Sequence, residues 1–231
     1  MGAAPLSIIV PVLNEAALVA PALQRLAPLR ARGCEIVVAD GGSRDGTREV
    51  ARPHADLVIE APPGRAAQLN AGAAAAHGDV FLFLHVDSRL PADADLLVLG
   101  ALQRSGRAWG RFDIEIEGRH PLLPLVARLM NLRSRLSGIC TGDQGLFVTA
   151  GTFRACGGFP PIALMEDIAI SRILKSSSRP LCLKQRIATS GRRWERHGAL
   201  RTILLMWRLR LAYFCGADPR RLAGLYDAAR R

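Results

Sequence analysis

Four short apolar runs, each ending in polar, acidic or glycine residues, constrain this chain more than any other feature. They read "LSIIVPV" (residues 6–12), "CEIVVAD" (34–40), "ADLVIEA" (55–61) and "DVFLFLHVD" (79–87). Runs of this length are strands, and their apolar residues are continuous rather than alternating, as in strands covered on both faces. Helical spacing fills the intervals. "NEAALVAPALQRLAPLRARG" predicts one helix capped by Asn14, irregular at Pro21 and closed at Gly33. "GGSRDGTREVARPH" is a glycine-rich turn entering a helix, and "GRAAQLNAGAAAAHG" a small-residue helix closed at Gly78. Strand and helix alternating at this pitch predict a right-handed, mostly parallel α/β unit.

The second half is less regular. "AWGRFDIEIEG" alternates at Phe112, Ile114 and Ile116, which predicts a strand with one polar face. "GLFVTA" reads as a short strand, "MEDIAISRILKSSS" as a helix, and "RPLCLKQRIATSG" as one or two short strands. "HPLLPLVARLMNLRSRL" and "LRTILLMWRLRLAYFC" are amphipathic helices with leucine on one face and arginine on the other, and a short basic helix ends the chain. The expected division is one domain over residues 1–198, with a nucleotide-binding half (1–90) and an acceptor-side half (91–198), followed by a basic amphipathic extension (199–231).

Charge narrows the partners. The net charge is +11, and all but two of the 31 basic residues are arginine, whose planar fork suits phosphate. Aromatic residues are only 5% and no RNA-binding signature is visible, so nucleic acid is not the expected partner. The two leucine–arginine helices also suit peripheral contact with an anionic membrane surface. Five scattered cysteines without a Cys-x-x-Cys spacing argue against a disulfide framework or structural zinc and for a reducing compartment. The N-terminus lacks a basic segment before its apolar run, and no stretch reaches the roughly 18 apolar residues of a membrane span. The expected location is cytoplasmic, with membrane contact at the inner face.

In an open parallel sheet, ligands bind beyond the carboxyl ends of the strands. Those ends carry Pro11, Asn14 and Glu15; then Asp40, Gly41, Gly42, Ser43 and Asp45; then Gly64 and Arg65; then His85 and Asp87. The turn "DGGSRDGT" lets backbone approach a ligand, but it is neither G-x-G-x-x-G nor a P-loop. Ser43 and Asp45 also suit helix capping.

The segments "IIVPVLNE", "VVADGGSRDGT", "GRAAQLNAG", "FLFLHVDS", "GDQGLFV" and "MEDIAISRIL" stand in the order seen in family 2 glycosyltransferases of the GT-A fold, and the chain resembles them from about Leu6 to Trp194. It is most similar to small members labelled radical-SAM- or selenodomain-associated transferases. The resemblance implies a Rossmann-like, mostly parallel central sheet flanked by helices. It implies a nucleotide-sugar donor, UDP- or GDP-linked, lying against Pro11, Asn14, Glu15, Asp40, Gly42, Ser43, Arg65, Asn70 and Val86. It also implies a divalent cation, Mn²⁺ or Mg²⁺, at the Asp-x-Asp motif, here His85-Val86-Asp87. Asp87 would hold the ion. His85, which replaces the family's first aspartate, either helps to hold it, bonds the donor, or is an ordinary strand-end histidine.

By the same resemblance the Glu166–Asp167 pair supplies the base that deprotonates an acceptor hydroxyl, Asp167 by position with Glu166 as the alternative. At a helix start the pair also complements the helix dipole. Gly142, Asp143 and Gln144 would shape the acceptor or sugar side. Arg192, Arg193 and Trp194 match an altered Gln-x-x-Arg-Trp motif that meets diphosphate or sugar, or form a solvated basic loop. The acceptor itself is open, and the arginine-laced helices make a lipid-linked one an option. A nucleotidyltransferase is the competing enzyme class, but "PVLNEAAL" after the first strand lacks the glycine-rich basic loop it needs. A non-enzymatic basic binding module is the other alternative.

Overall fold

In a computed structural model, residues 4–192 and 198–228 are described. An eight-stranded sheet runs β3-β2-β1-β4-β7-β6-β8-β5. Its first half is parallel: β1 (Leu6–Val12) pairs with β2 (Glu35–Asp40) and β4 (Val80–Phe83), and β2 pairs with β3 (Leu57–Glu60). The chain therefore reverses its direction of travel across the sheet between β1 and β4, the place where such sheets open a crevice.

Burial explains why these runs are strands. Ile8, Val10, Ile36 and Val38 face one core cluster, and Ile9, Val37, Phe81 and Phe83 the other, so every residue finds apolar cover. On the first face lie α1 (Ala16–Gln24), α2 (Ala27–Ala31) and α5 (Ala94–Ser105); on the second lie α4 (Arg65–Ala75), α7 (Ala150–Ala155) and α8 (Glu166–Leu174). α3 (Thr47–Ala51) follows β2. Gly72 lets α4 lie close on β1: a Cβ there would stand 2.5 Å from the Ile9 side chain.

The expected single helix after β1 is two. Pro21 is accommodated inside α1, which runs on to Gln24. In an unbroken helix the ring of Pro28 would clash with the Gln24 carbonyl, four residues back, and the chain breaks there. Asn14 is not the cap either: Glu15 occupies that position without a side-chain bond.

The second half mixes directions. β7 (Phe147–Thr149) runs antiparallel to β4 and to β6 (Trp109–Glu117), while β6 runs parallel to β8 (Leu181–Ser190). β8 is one ten-residue strand with an irregularity opposite Phe112/Asp113, and β5 (Ser88–Arg89) closes the sheet's edge. α6 (Leu123–Ser137) packs on β6. The Asn131 amide there accepts from the Ile114 N–H at 2.9 Å and donates to the Ile114 carbonyl at 3.0 Å. α9 (Ala199–Phe214) and α10 (Pro219–Ala228) complete the described chain. Among the described residues no helix is long and apolar enough to cross a membrane, and all five cysteines are unpaired.

A charged cluster fastens α6 to the sheet. Arg111 is wholly buried; its guanidinium meets the Asp113 carboxylate, the Phe112 carbonyl and the Asn131 carbonyl, while Arg135 reaches Asp113 at 2.5 Å. Removing the shared carboxylate strands a buried cation, which is far costlier than losing an exposed pair. Asp113→Ala is therefore expected to lower unfolding free energy by about 3 kcal/mol, measured by chemical denaturation.

Candidate active site at the carboxyl ends of the strands

The β1 and β2 tips are laced together. Asn14 N–H donates to Ser43 Oγ (2.8 Å), and Arg44 N–H donates to Asn14 Oδ1 (2.9 Å). Glu15 N–H donates to Thr47 Oγ1 and Ala16 N–H to Asp45 Oδ2. This places Asn14 at φ 54°, a left-handed conformation that asparagine tolerates better than most side chains. Below the loops, Gln68 Nε2 donates to the Val12 and Ala39 carbonyls, joining the strand ends. Asp45 serves the fold: it ties α1 to the turn that enters α3. Asp40, fully buried, accepts from the Gly42 and Ser43 N–H groups through Oδ1 (2.9 and 2.8 Å). Its other oxygen is buried with no hydrogen-bond partner among the described residues.

A cleft of about 1580 Å³ opens beside these loops. Glu15, Arg65, His85, Asp87, Gly142, Asp143, Glu166, Asp167 and Arg192 line it, whereas Pro11, Asn14, Asp40, Gly42 and Ser43 stand outside its wall on the β1–β2 side. Three expected contacts differ. Both ends of the Asn70 amide are taken by the Phe159 backbone at 2.8 Å, fastening α4 to that turn. The Val86 side chain is buried in the core, which leaves only its backbone to meet a donor. Gln144 is fully buried and holds the Thr141 end of its turn through Oε1, so it shapes the cleft from beneath. The Asn70 amide is thus taken by backbone brought close only by folding, whereas Gln144 is held by a local cap within its own turn. Arg193 and Trp194 lie outside the described residues.

His85 and Asp87 follow β4, which ends at Phe83. Asp87 is exposed on the cleft wall. His85 Nδ1 lies 3.2 Å from Asp143 Oδ1, and its ring rests on Gly142, where a Cβ would come within 2.6 Å. Gly142 in turn donates its N–H to Asp167 Oδ2 at 2.9 Å, and the Ile168 N–H donates to Oδ1. Among the described residues no three His, Cys, Asp or Glu side chains converge to hold a metal ion. The single exposed carboxylate of Asp87 on the cleft wall suits a hard cation that arrives with its ligand's phosphates, since magnesium typically takes one or two carboxylates plus phosphates and waters.

The acid pair begins α8 directly after Met165, which is left-handed at φ 69°. Glu166 is buried with its carboxylate 3.8 Å from Arg65. Burial, reinforced by the adjacent Glu166 charge and opposed by the two N–H bonds, pushes the Asp167 carboxyl up to about 6. It is thus ionised above that pH and protonated below it.

The cleft also holds residues not expected there: Arg133 and Met130 of α6, and Met206, Trp207 and Arg210 of α9. The available signal was the leucine–arginine pattern of those two helices, which says nothing of what lies between them.

A parallel sheet with its crevice beyond β1 and β4, extended by antiparallel strands, defines the GT-A class. The chain belongs to glycosyl transferase family 2, whose model matches residues 7–156. Similar solved structures include S. aureus TarS 1-349, also determined with UDP-GlcNAc (TM-score 0.64, 18% identity; 80% of this chain, 58–60% of that one). Mannosyltransferase PcManGT from Pyrobaculum calidifontis, in complex with GDP-Man and Mn²⁺, gives TM-score 0.64 at 20% identity, covering 90% and 61%. Glucosyl-3-phosphoglycerate synthase from Mycobacterium tuberculosis, with Mg²⁺ and UDP, gives 0.59 at 20%, covering 80% and 69%. The chain thus spans about 60% of the TarS 1-349 and PcManGT chains, and 36% of a longer TarS chain. No curated protein matches it in sequence.

Glu166→Gln removes the like charge beside Asp167 and is expected to lower the Asp167 pKa from its value of about 6. Carboxyl ¹³C NMR titration of Asp167 measures the change; an unmoved or raised value contradicts the assigned cause.

Proposed function

We propose that the protein transfers a sugar from a UDP- or GDP-linked donor to an acceptor hydroxyl with inversion at the anomeric carbon. The observation that carries this reading is the meeting, in one cleft of a family 2 chain, of the strand-end carboxylate Asp87 and the half-buried acid Asp167. The ligands in the related structures support the donor class and a divalent cation.

Donor binding falls mainly to residues 1–90 and acceptor binding mainly to residues 91–198. Asp40, with its unmatched Oδ2, would accept an N–H from the donor base, beside Pro11 and the Gly42–Ser43 turn. Arg65, paired with Glu166, and Arg192 would meet the diphosphate. A divalent cation, held by Asp87 with His85 beside it, would neutralise charge on the departing nucleoside diphosphate. Asp167 would take the acceptor hydroxyl's proton as its oxygen bonds the anomeric carbon and the bond to the diphosphate breaks. A single displacement of this kind inverts the centre. The Gly142 and Ile168 N–H groups fix the Asp167 carboxylate for that role, and its raised pKa makes it a stronger base than an ordinary aspartate.

Turnover of UDP- and GDP-sugars with Mn²⁺ or Mg²⁺ tests this. Asp167→Asn is expected to lower kcat by about 10²-fold or more, and Asp87→Ala to abolish metal-dependent turnover. Full metal-dependent activity in Asp87→Ala would sink the site assignment. Because the base must be ionised, activity should fall as pH drops through about 6, the Asp167 value.

A further inference from the structure

The cleft does not stop at the acid pair. It continues between α6 and α9, walled by Leu129, Met130 and Leu132 on one side and by Ile203, Met206 and Trp207 on the other. A sugar acceptor needs no such apolar wall. The same two helices carry apolar stripes open to solvent, and Leu129, Leu132, Leu136 and Trp207 of these stripes also rim the cleft. Leu125, Leu129, Leu132 and Leu136 recur along α6, and Leu204, Trp207, Leu211 and Phe214 along α9; every one exposes more than half its surface. An amphipathic helix normally buries its apolar face. Eight large exposed side chains on adjoining helices mark a surface made to be covered.

Charge identifies the cover. Arg133 and Arg210 line the same cleft, and Arg133 Nε and Nη2 and Arg210 Nε are buried without a hydrogen-bond partner among the described residues. Guanidinium N–H groups shut off from water are costly unless an acceptor meets them. Their fork geometry suits phosphate. Exposed arginines at Arg128, Arg201 and Arg208 lie along the same two helices, as on helices that rest on anionic bilayers.

We propose that the acceptor is a membrane lipid whose head group carries a phosphate and a free hydroxyl, the hydroxyl giving its proton to Asp167 as its oxygen takes the sugar and the nucleoside diphosphate leaves. The lipid's head group meets Arg133 and Arg210 beside Asp167, its hydrocarbon chain leaves between α6 and α9, and the two stripes rest in the bilayer. This rests on the glycosyl-transfer reading and names the acceptor that reading leaves open. A second copy of the chain would cover the stripes too, but it would leave the cleft between them empty and the arginine N–H groups unmet.

The test uses the full chain with vesicles of phosphatidylcholine alone or mixed with phosphatidylglycerol, the lipids carrying brominated acyl chains. The protein is expected to sediment with the mixed vesicles, less so at high salt, with quenched tryptophan fluorescence; Trp207→Phe should lose most of that quenching. Arg133→Gln/Arg210→Gln should weaken binding about tenfold or more. Leu132→Glu/Leu211→Glu, at exposed positions, should abolish binding while the protein melts as the parent does. Absence of vesicle binding overturns the proposal. So does binding indifferent to the two arginines, or a solution dimer broken by Leu132→Glu/Leu211→Glu without vesicle binding. Nucleotide-sugar binding, followed by thermal shift, separates the two readings. A protein that binds nucleotide sugar but not vesicles overturns this inference alone. One that binds vesicles but no nucleotide sugar overturns glycosyl transfer, and with it the lipid's role as acceptor.

Discussion

The hydrogen bond from the Gly142 N–H to Asp167 Oδ2 joins parts of the site that the chain delivers separately. On one side Gly142 supports the His85 ring at the end of β4; on the other Asp167 opens α8. Only a glycine allows the ring to lie so close, because a Cβ would stand 2.6 Å from it. Ser171 reinforces the joint: its hydroxyl receives the Cys140 N–H and donates to the Asp167 carbonyl. The strand ends and the acid pair therefore sit in one frame, set by backbone donors rather than by mobile side chains.

The frame also sets the electrostatics. Two N–H groups aimed at a carboxylate should depress its pKa, yet Asp167 is raised, so burial and the neighbouring Glu166 charge outweigh them. Glu166 is itself held beside Arg65. Two adjacent acids in one turn are thus given different surroundings, Glu166 beside a guanidinium and Asp167 beneath two backbone N–H groups.

The first half of the fold was legible because apolar runs covered on both faces have few alternatives, and β1 falls on the residues its pattern marks. That His85 and Asp87 reach one cleft followed from the rule that strand ends share an edge, whereas Gly142 and Asp167 were expected beside them only from the family resemblance. Less was legible where partners are tertiary. Asn14 looked like a cap, but its carbonyl oxygen serves Arg44 in the neighbouring loop. Asn70 looked like a ligand group, but the Phe159 backbone takes both ends of its amide, and Gln144 is buried as the cap of its own turn. The direction of β7, and the cleft between α6 and α9, depend on elements far apart in the chain that no local pattern brings together.

Met165 stands immediately before the acid pair, and its side chain is packed with Ile168, Leu209 and Leu222. That small core belongs partly to α8 and partly to α9 and α10. Close-packed side chains of this kind do not slide past one another without repacking, and Met165 is already held in an uncommon backbone conformation. The orientation of α8's first turn is therefore mechanically continuous with the seating of the C-terminal helices. The outer helices thus brace, from the far side, the turn that carries the acid at the centre.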